Sequence, residues 1–119
     1  MSYSDQIKDV IESSDVALFM KGTPSFVMCG NSDRALQALR RAGASVTAVD
    51  ILPDPQIRQD LTAISGWPTI PQVFVKGELV GGADIVEELE QSGELSEKLR
   101  SALGENYDST REETTVALA

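Results

Sequence analysis

Cysteine and histidine are what this chain has least of: its 119 residues hold one cysteine, Cys29, and no histidine. A lone thiol cannot close a disulfide within its own chain, so any redox cycle must borrow a second thiol. Without imidazole a Cys/His zinc site is excluded, and Cys29 is the only soft metal ligand on offer. Aromatic residues make up only 5%, so the core is expected to be Ile, Leu, Val and Ala. Basic residues are also scarce, 10 Lys and Arg against 19 Asp and Glu, for a net charge of −9. That balance argues against nucleic acid or an anionic membrane as the main partner. No hydrophobic run approaches the roughly 20 residues that cross a bilayer. Met1 to Val10 carry no basic n-region and no long apolar stretch, which predicts no export signal. An unpaired cysteine fits a reducing compartment, so the expected location is cytoplasmic.

What is present reads as one domain over residues 1–103, with a 41% hydrophobic chain able to form a single core. Tyr3, Ile7, Val10 and Ile11 recur at helical spacing, with Ser2 as the candidate cap. Val16–Met20 is a short apolar run of buried-strand type, followed by a Gly/Thr/Pro/Ser loop. A helix is expected after Cys29, with Asp33 near its start, Arg40 and Arg41 near its end and Gly43 as its stop. Charges so placed suit the helix dipole, which is explanation enough for the Arg pair. Val46–Ile51 reads as a strand, and Asp54-Pro55 as an N-cap with proline at the first helical position. Two prolines rule out helix in Trp67-Pro-Thr-Ile-Pro71. Segments around Gly77 read as a tight hairpin, and two helices follow, separated by Gly93. From Gly104 to Ala119 the apolar pattern fades, and the acidic tail, residues 104–119, is expected to be disordered.

The order α-β-α-β-α-β-β-α-α joins two strands through a helix, which requires a parallel, right-handed crossover, whereas the later hairpin is antiparallel. The economical solution is an α/β, thioredoxin-like fold: a mixed four-stranded sheet with helices on both faces. Cys29 then falls at a helix N-terminus, where unpaired N–H groups and the dipole favour thiolate, and Lys21 can add positive charge. A buried, inert cysteine is the duller alternative, but the polar Gly30-Asn31-Ser32 start argues against it. A cis bond in Thr69-Ile70-Pro71 would turn the Ile70 backbone outward to pair with an extended peptide, whereas a trans proline would only mark a strand edge. Gly81-Gly82-Ala83-Asp84 opens a helix whose N–H groups can hold a carboxylate while Asp84 accepts from an ammonium; a simple helix cap is the commoner use. Arg58, beside Ile57 and Leu61, would by itself count as solvated surface. Together these groups suit a small peptide with two carboxylates and one ammonium. Glutathione is such a molecule, and it carries the missing thiol.

Lys-Gly-Thr-Pro-x-Phe-x-Met-Cys-Gly-x-Ser, Trp-Pro-Thr-Ile-Pro-Gln and Gly-Gly-x-Asp-Ile, in this order, resemble the monothiol glutaredoxins of the Cys-Gly-Phe-Ser type. The resemblance runs from about Ser2 to Leu103. It implies glutathione binding and a [2Fe–2S] cluster bridging a homodimer, with Cys29 as cluster ligand and as the site of mixed disulfide with glutathione. It further implies that Lys21 and Arg58 hold the glycine carboxylate. Ile70, between Thr69 and a cis Pro71, would pair with the cysteinyl backbone, Gly82 and Asp84 would frame the γ-glutamyl end, and Trp67 would support the groove. A cluster of this type needs four thiolates, which two chains and two glutathiones supply. In the family a BolA-type protein can replace one protomer and offer a histidine. The chain departs from the pattern at Asn31 (usually Phe), Val27 (usually Pro) and Ala83 (usually Ser). Asn31 puts a small polar group beside the ligand cysteine, which would admit water to a cluster.

The leading expectation is therefore a carrier that passes a labile cluster to apo iron–sulfur proteins and serves iron homeostasis. The long Gly22–Met28 loop supports it, because the family associates that loop with cluster binding and weak oxidoreductase activity. The alternative is a glutathione-dependent monothiol oxidoreductase that deglutathionylates proteins through Cys29 without a stable cluster. An adaptor that has lost its metal is a third reading, resting on Asn31 alone.

Overall fold

The structure, a computed structural model, describes residues 1–104 and 112–119. Helix α1 (Tyr3–Ser13) starts where the Ser2 hydroxyl accepts from the Asp5 N–H at 3.1 Å. It leads into β1 (Val16–Met20), the central strand of the sheet. A small hairpin of β2 (Gly22–Thr23) and β3 (Phe26–Val27) follows, where sequence predicts only a loop. Helix α2 (Gly30–Arg41) then returns the chain to β4 (Val46–Asp50), parallel to β1. Helix α3 (Pro55–Ser65) is capped by Asp54, whose carboxylate accepts from the Gln56 N–H at 2.9 Å, and stops at Gly66. Strands β5 (Gln72–Val75) and β6 (Glu78–Gly81) form the antiparallel hairpin. Its two-residue turn places both Lys76 (φ 49°) and Gly77 (φ 83°) in the left-handed region, the geometry that matches the twist of paired strands. Helices α4 (Ala83–Ser92) and α5 (Glu94–Leu103) meet at Gly93.

Strand alternation sorts the core. In β1, Val16, Leu18 and Met20 face one side of the sheet, where they join Leu36 and Leu39 of α2, Val86 of α4, and Leu95 and Leu99 of α5. Ala17 and Phe19 face the other side, with Ile7 and Ile11 of α1 and Ile57 and Leu61 of α3. Burial of both faces explains why β1 is a continuous apolar run rather than an alternating one. Each Leu or Ile removed from water here stabilises by roughly 1.5–3 kcal/mol. Phe19 and Phe74 meet edge to face with centroids 5.7 Å apart.

The thioredoxin-like α/β arrangement matches the expectation, but among the described residues the sheet has five strands, not four, in the order β6-β5-β1-β4-β7. The addition, β7 (Glu113–Val116), runs parallel to β4 along its outer edge. It comes from the tail read as disordered, and residues 105–111 of that tail lie outside the described residues. Composition concealed the strand because its outer face is polar and its anchors are individually distant in sequence. The Val46 N–H donates to the Glu112 carbonyl at 2.8 Å, and the Glu112 N–H to Ser45 Oγ at 3.1 Å. Gln6 exchanges two hydrogen bonds of 2.9 Å with the Ala119 backbone. Val116 and Leu118 pack against the α1/α3 side of the core.

Candidate functional site

Cys29 is the N-cap residue of α2, with extended backbone (φ −153°, ψ 134°) and a half-buried side chain. Its thiol is held below the ordinary value of 9.0, chiefly by the Ser32 backbone N–H, then by the Asn31 N–H, the Lys21 charge and the Ser32 hydroxyl; partial burial opposes them. The helix start therefore does most of this, and the lysine adds to it. Ser32 is fully buried, and its hydroxyl accepts from the Lys21 N–H at 3.0 Å, tying the end of β1 to the start of α2. Sequence reasoning treated Ser32 only as part of a polar helix start, yet it touches both the thiol and the lysine backbone.

The stretch between Lys21 and Cys29 is held as a hairpin. Met28 N–H donates to the Lys21 carbonyl at 2.9 Å, and Gly22 N–H to Asp50 Oδ1 at 2.9 Å. Gly22 has φ +95°, and a Cβ there would lie 2.4 Å from the Phe26 carbonyl oxygen, so only glycine fits. Val27, where the family usually has Pro, pairs with Gly22 across this hairpin. The hairpin leaves Phe26 72% and Met28 56% exposed near the thiol.

A cleft of about 330 Å³ opens beside Asn31, two residues beyond Cys29. Trp67, Thr69, Ile70 and Pro71 form one wall, and Gly82 and Asp84 contribute to the other, so six of the predicted site residues come together. The Ile70–Pro71 bond is cis. The buried side chain of Gln72 secures the first wall from behind, its amide donating to the Trp67 carbonyl at 2.9 Å and the Thr69 carbonyl at 3.2 Å. Gly82 lets the walls approach: a Cβ would sit 3.2 Å from Trp67 Nε1 and 3.3 Å from the Pro71 carbonyl oxygen. Gly82 also caps α4 without a side-chain hydrogen bond, leaving helix N–H groups open for an anion. Cys29 lies two residues before the lining residue Asn31 without lining the cleft itself, Lys21 does not line it, and Arg58 sits exposed on α3, with no hydrogen bond or ion pair to the cleft among the described residues.

Asn31 does not simply present a polar group to solvent. Its Oδ1 accepts from Arg34 Nη1 at 3.2 Å, and the same guanidinium bridges to Asp84 and Glu87 of α4. Arg34, Glu87 and Gln72 are residues of the site that sequence reasoning did not single out. Arg34 and Glu87 pair across elements far apart in the chain, whereas Gln72 bonds carbonyls only three and five residues before it, a use that follows from its burial in β5. Among the described residues no group of three or more Cys, Asp or Glu side chains is placed to hold a metal ion.

The glutaredoxin family profile matches residues 16–80, which include Lys21, Cys29 and the cis-proline wall. The chain belongs to the glutaredoxin family. Its relatives place it in the monothiol branch. It is 52% identical over 86 residues to the probable monothiol glutaredoxin GrlA of Legionella pneumophila, covering 72% of this chain and 97% of that one. It is also 52% identical over 98 residues to monothiol glutaredoxin-S11 of rice, but there this glutaredoxin spans only 20% of the relative's length, against 82% of its own. Among solved structures, reduced apo GrxS14 of poplar superposes with a TM-score of 0.75 at 40% identity, covering 85% of this chain and 93% of that one.

Proposed function

We propose that this monothiol glutaredoxin binds glutathione in the cleft beside Cys29 and carries a labile [2Fe–2S] cluster between two protomers for delivery to apo iron–sulfur proteins in the cytoplasm. The observation that carries the proposal is the position of the chain's single thiol. Cys29 is half-exposed, biased toward thiolate and adjacent to a cleft with an open helix N-terminus. The donor set fits a shared cluster and not a private one: one chain offers one thiolate, and four are needed. Two chains and two bound glutathiones complete that number, and a BolA-type partner would replace one chain. In this reading Ile70 offers its backbone to the cysteinyl part of glutathione, flanked by Thr69 and Pro71. Gly82 and Asp84 meet the γ-glutamyl end, Lys21 and Arg58 attract the glycine carboxylate, and Trp67 supports the wall. Exposed Phe26 and Met28 supply apolar area for the second protomer beside the thiol.

The test is anaerobic reconstitution with iron, sulfide and glutathione, read by visible circular dichroism and by size. A chiral cluster spectrum in a dimer, lost without glutathione and lost in Cys29→Ser, is the expected result. A colourless monomer under the same conditions overturns the carrier reading.

The lowered thiol pKa favours a second reading, a deglutathionylase. The Cys29 thiolate attacks the glutathione sulfur of a protein mixed disulfide, and the protein leaves as its thiolate. A second glutathione thiolate then attacks the Cys29–glutathione disulfide, releasing oxidised glutathione and restoring Cys29. Colourless protein that turns over such a substrate rapidly would favour this reading over the carrier.

A further inference from the structure

Arg34, in the second turn of α2, reaches across to α4. Its Nη2 donates to Asp84 Oδ1 and to Glu87 Oε1, both at 2.8 Å, and its Nε to Glu87 Oε2 at 3.3 Å. Nη1 donates to Asn31 Oδ1 at 3.2 Å. Glu87 thus grips the guanidinium as a fork, a geometry that holds the group in place. Asp84 and Asn31 both line the cleft; Arg34 and Glu87 stand behind them. Asp84 is the one carboxylate among the lining residues, and it already has a cationic partner from its own chain.

The charge balance of this end of the cleft follows. The Arg34 guanidinium is offset by two carboxylates, Glu87 behind the rim and Asp84, 88% exposed, on it. The uncompensated positive feature is the open N-terminus of α4, whose cap Gly82 offers no side chain to its N–H groups. A ligand carboxylate gains from that helix start. A ligand ammonium must compete with Arg34 Nη2 for Asp84.

We propose that Arg34 is a specificity-determining residue: by occupying Asp84 it makes this end of the cleft select its ligand through a carboxylate, with little contribution from the neighbouring ammonium. The inference rests on the glutathione reading and refines it at the γ-glutamyl end, where both groups sit on one carbon. It also gives Asn31 a role, as the rim residue that holds the guanidinium against the cleft.

The experiment measures calorimetric dissociation constants for S-methylglutathione and its N-acetyl derivative, which lacks the ammonium, with the native chain and with Arg34→Met. S-methylation keeps Cys29 chemistry out of the measurement, and any steric cost of the acetyl group cancels in the comparison. The native chain is expected to lose about twofold or less on N-acetylation, whereas Arg34→Met, with Asp84 freed, loses about tenfold, the scale of one charge-assisted hydrogen bond. Arg34→Gln, which keeps a hydrogen-bond donor on this surface, is the second variant and carries the same expectation. Equal losses in native and variant chains, or a tenfold loss in the native chain, overturn the inference while leaving glutathione binding intact. A native chain that binds neither ligand overturns the glutathione reading, and the inference falls with it.

Discussion

The buried hydroxyl of Ser32 accepts the backbone N–H of Lys21 at 3.0 Å, and so joins the end of the central strand to the helix that carries Cys29. The same residue gives the thiol its strongest stabilising contact through its backbone N–H. One side chain and one amide of the same residue therefore bear on both where the thiol sits and how it ionises.

Ser32→Ala separates the two effects. The Lys21 N–H loses its acceptor in a partly buried position, so stability to urea is expected to fall by about 1–3 kcal/mol. The Ser32 backbone N–H remains, so the thiol keeps most of its acidity and rises only by the share the hydroxyl supplied. Urea midpoints and the pH profile of iodoacetamide alkylation check the two halves. A large rise in thiol pKa without loss of stability would contradict this division.

The pH dependence of Cys29 reactivity follows in sign from its cause. Stabilisation of the thiolate moves the native titration below 9.0, so alkylation reaches its plateau at lower pH in the folded chain than in urea. Stability linked to this group is present above the unfolded thiol pKa and is lost as pH falls through the folded one. Lys21→Met removes the favourable charge beside the thiol and is expected to move the midpoint upward, part of the way back to the unfolded value. A midpoint unchanged by Lys21→Met would mean that the helix start acts alone.

Much of this molecule was legible in its residues because the signals were local. The continuous apolar run of β1, Asp54-Pro55, the turn at Lys76-Gly77 and the glycine stops each encode their own conformation, and together they dictate the thioredoxin-like topology. The cleft was legible for the same reason, since Trp67-Pro-Thr-Ile-Pro71 and Gly82-Ala83-Asp84 are compact strings that the hairpin brings face to face. What escaped were residues of ordinary appearance whose partners only the packed fold reveals. Arg34 looks like a solvated helical charge until α4 packs alongside, with Asp84 and Glu87 50 and 53 positions away. Gln72 looks like a polar strand residue, yet both sheet faces are covered and its amide turns back to hold the loop before it. Arg40 was assigned to the helix dipole, and it also grips Glu113 through two hydrogen bonds of 2.7 and 2.8 Å.

That last pair belongs to β7, the element least visible in sequence, and its strength is open to measurement. The Arg40–Glu113 ion pair lies near the surface, where such pairs contribute about 0–1 kcal/mol. Apolar anchoring by Val116 and Leu118, with the backbone ladder from Val46 onward, should then hold the strand more firmly than the charges do. Val116→Asp is expected to release β7 and speed amide exchange of Val46 by about tenfold or more, because its N–H loses the Glu112 carbonyl to solvent competition. Arg40→Met is expected to speed the same amide by only about fivefold or less, the population change that 1 kcal/mol allows. Exchange at Leu18, in the central strand, reports global opening and should change little in Arg40→Met. If Arg40→Met released the strand as fully as Val116→Asp, the tail would be held by charge, and its docking would weaken sharply with salt.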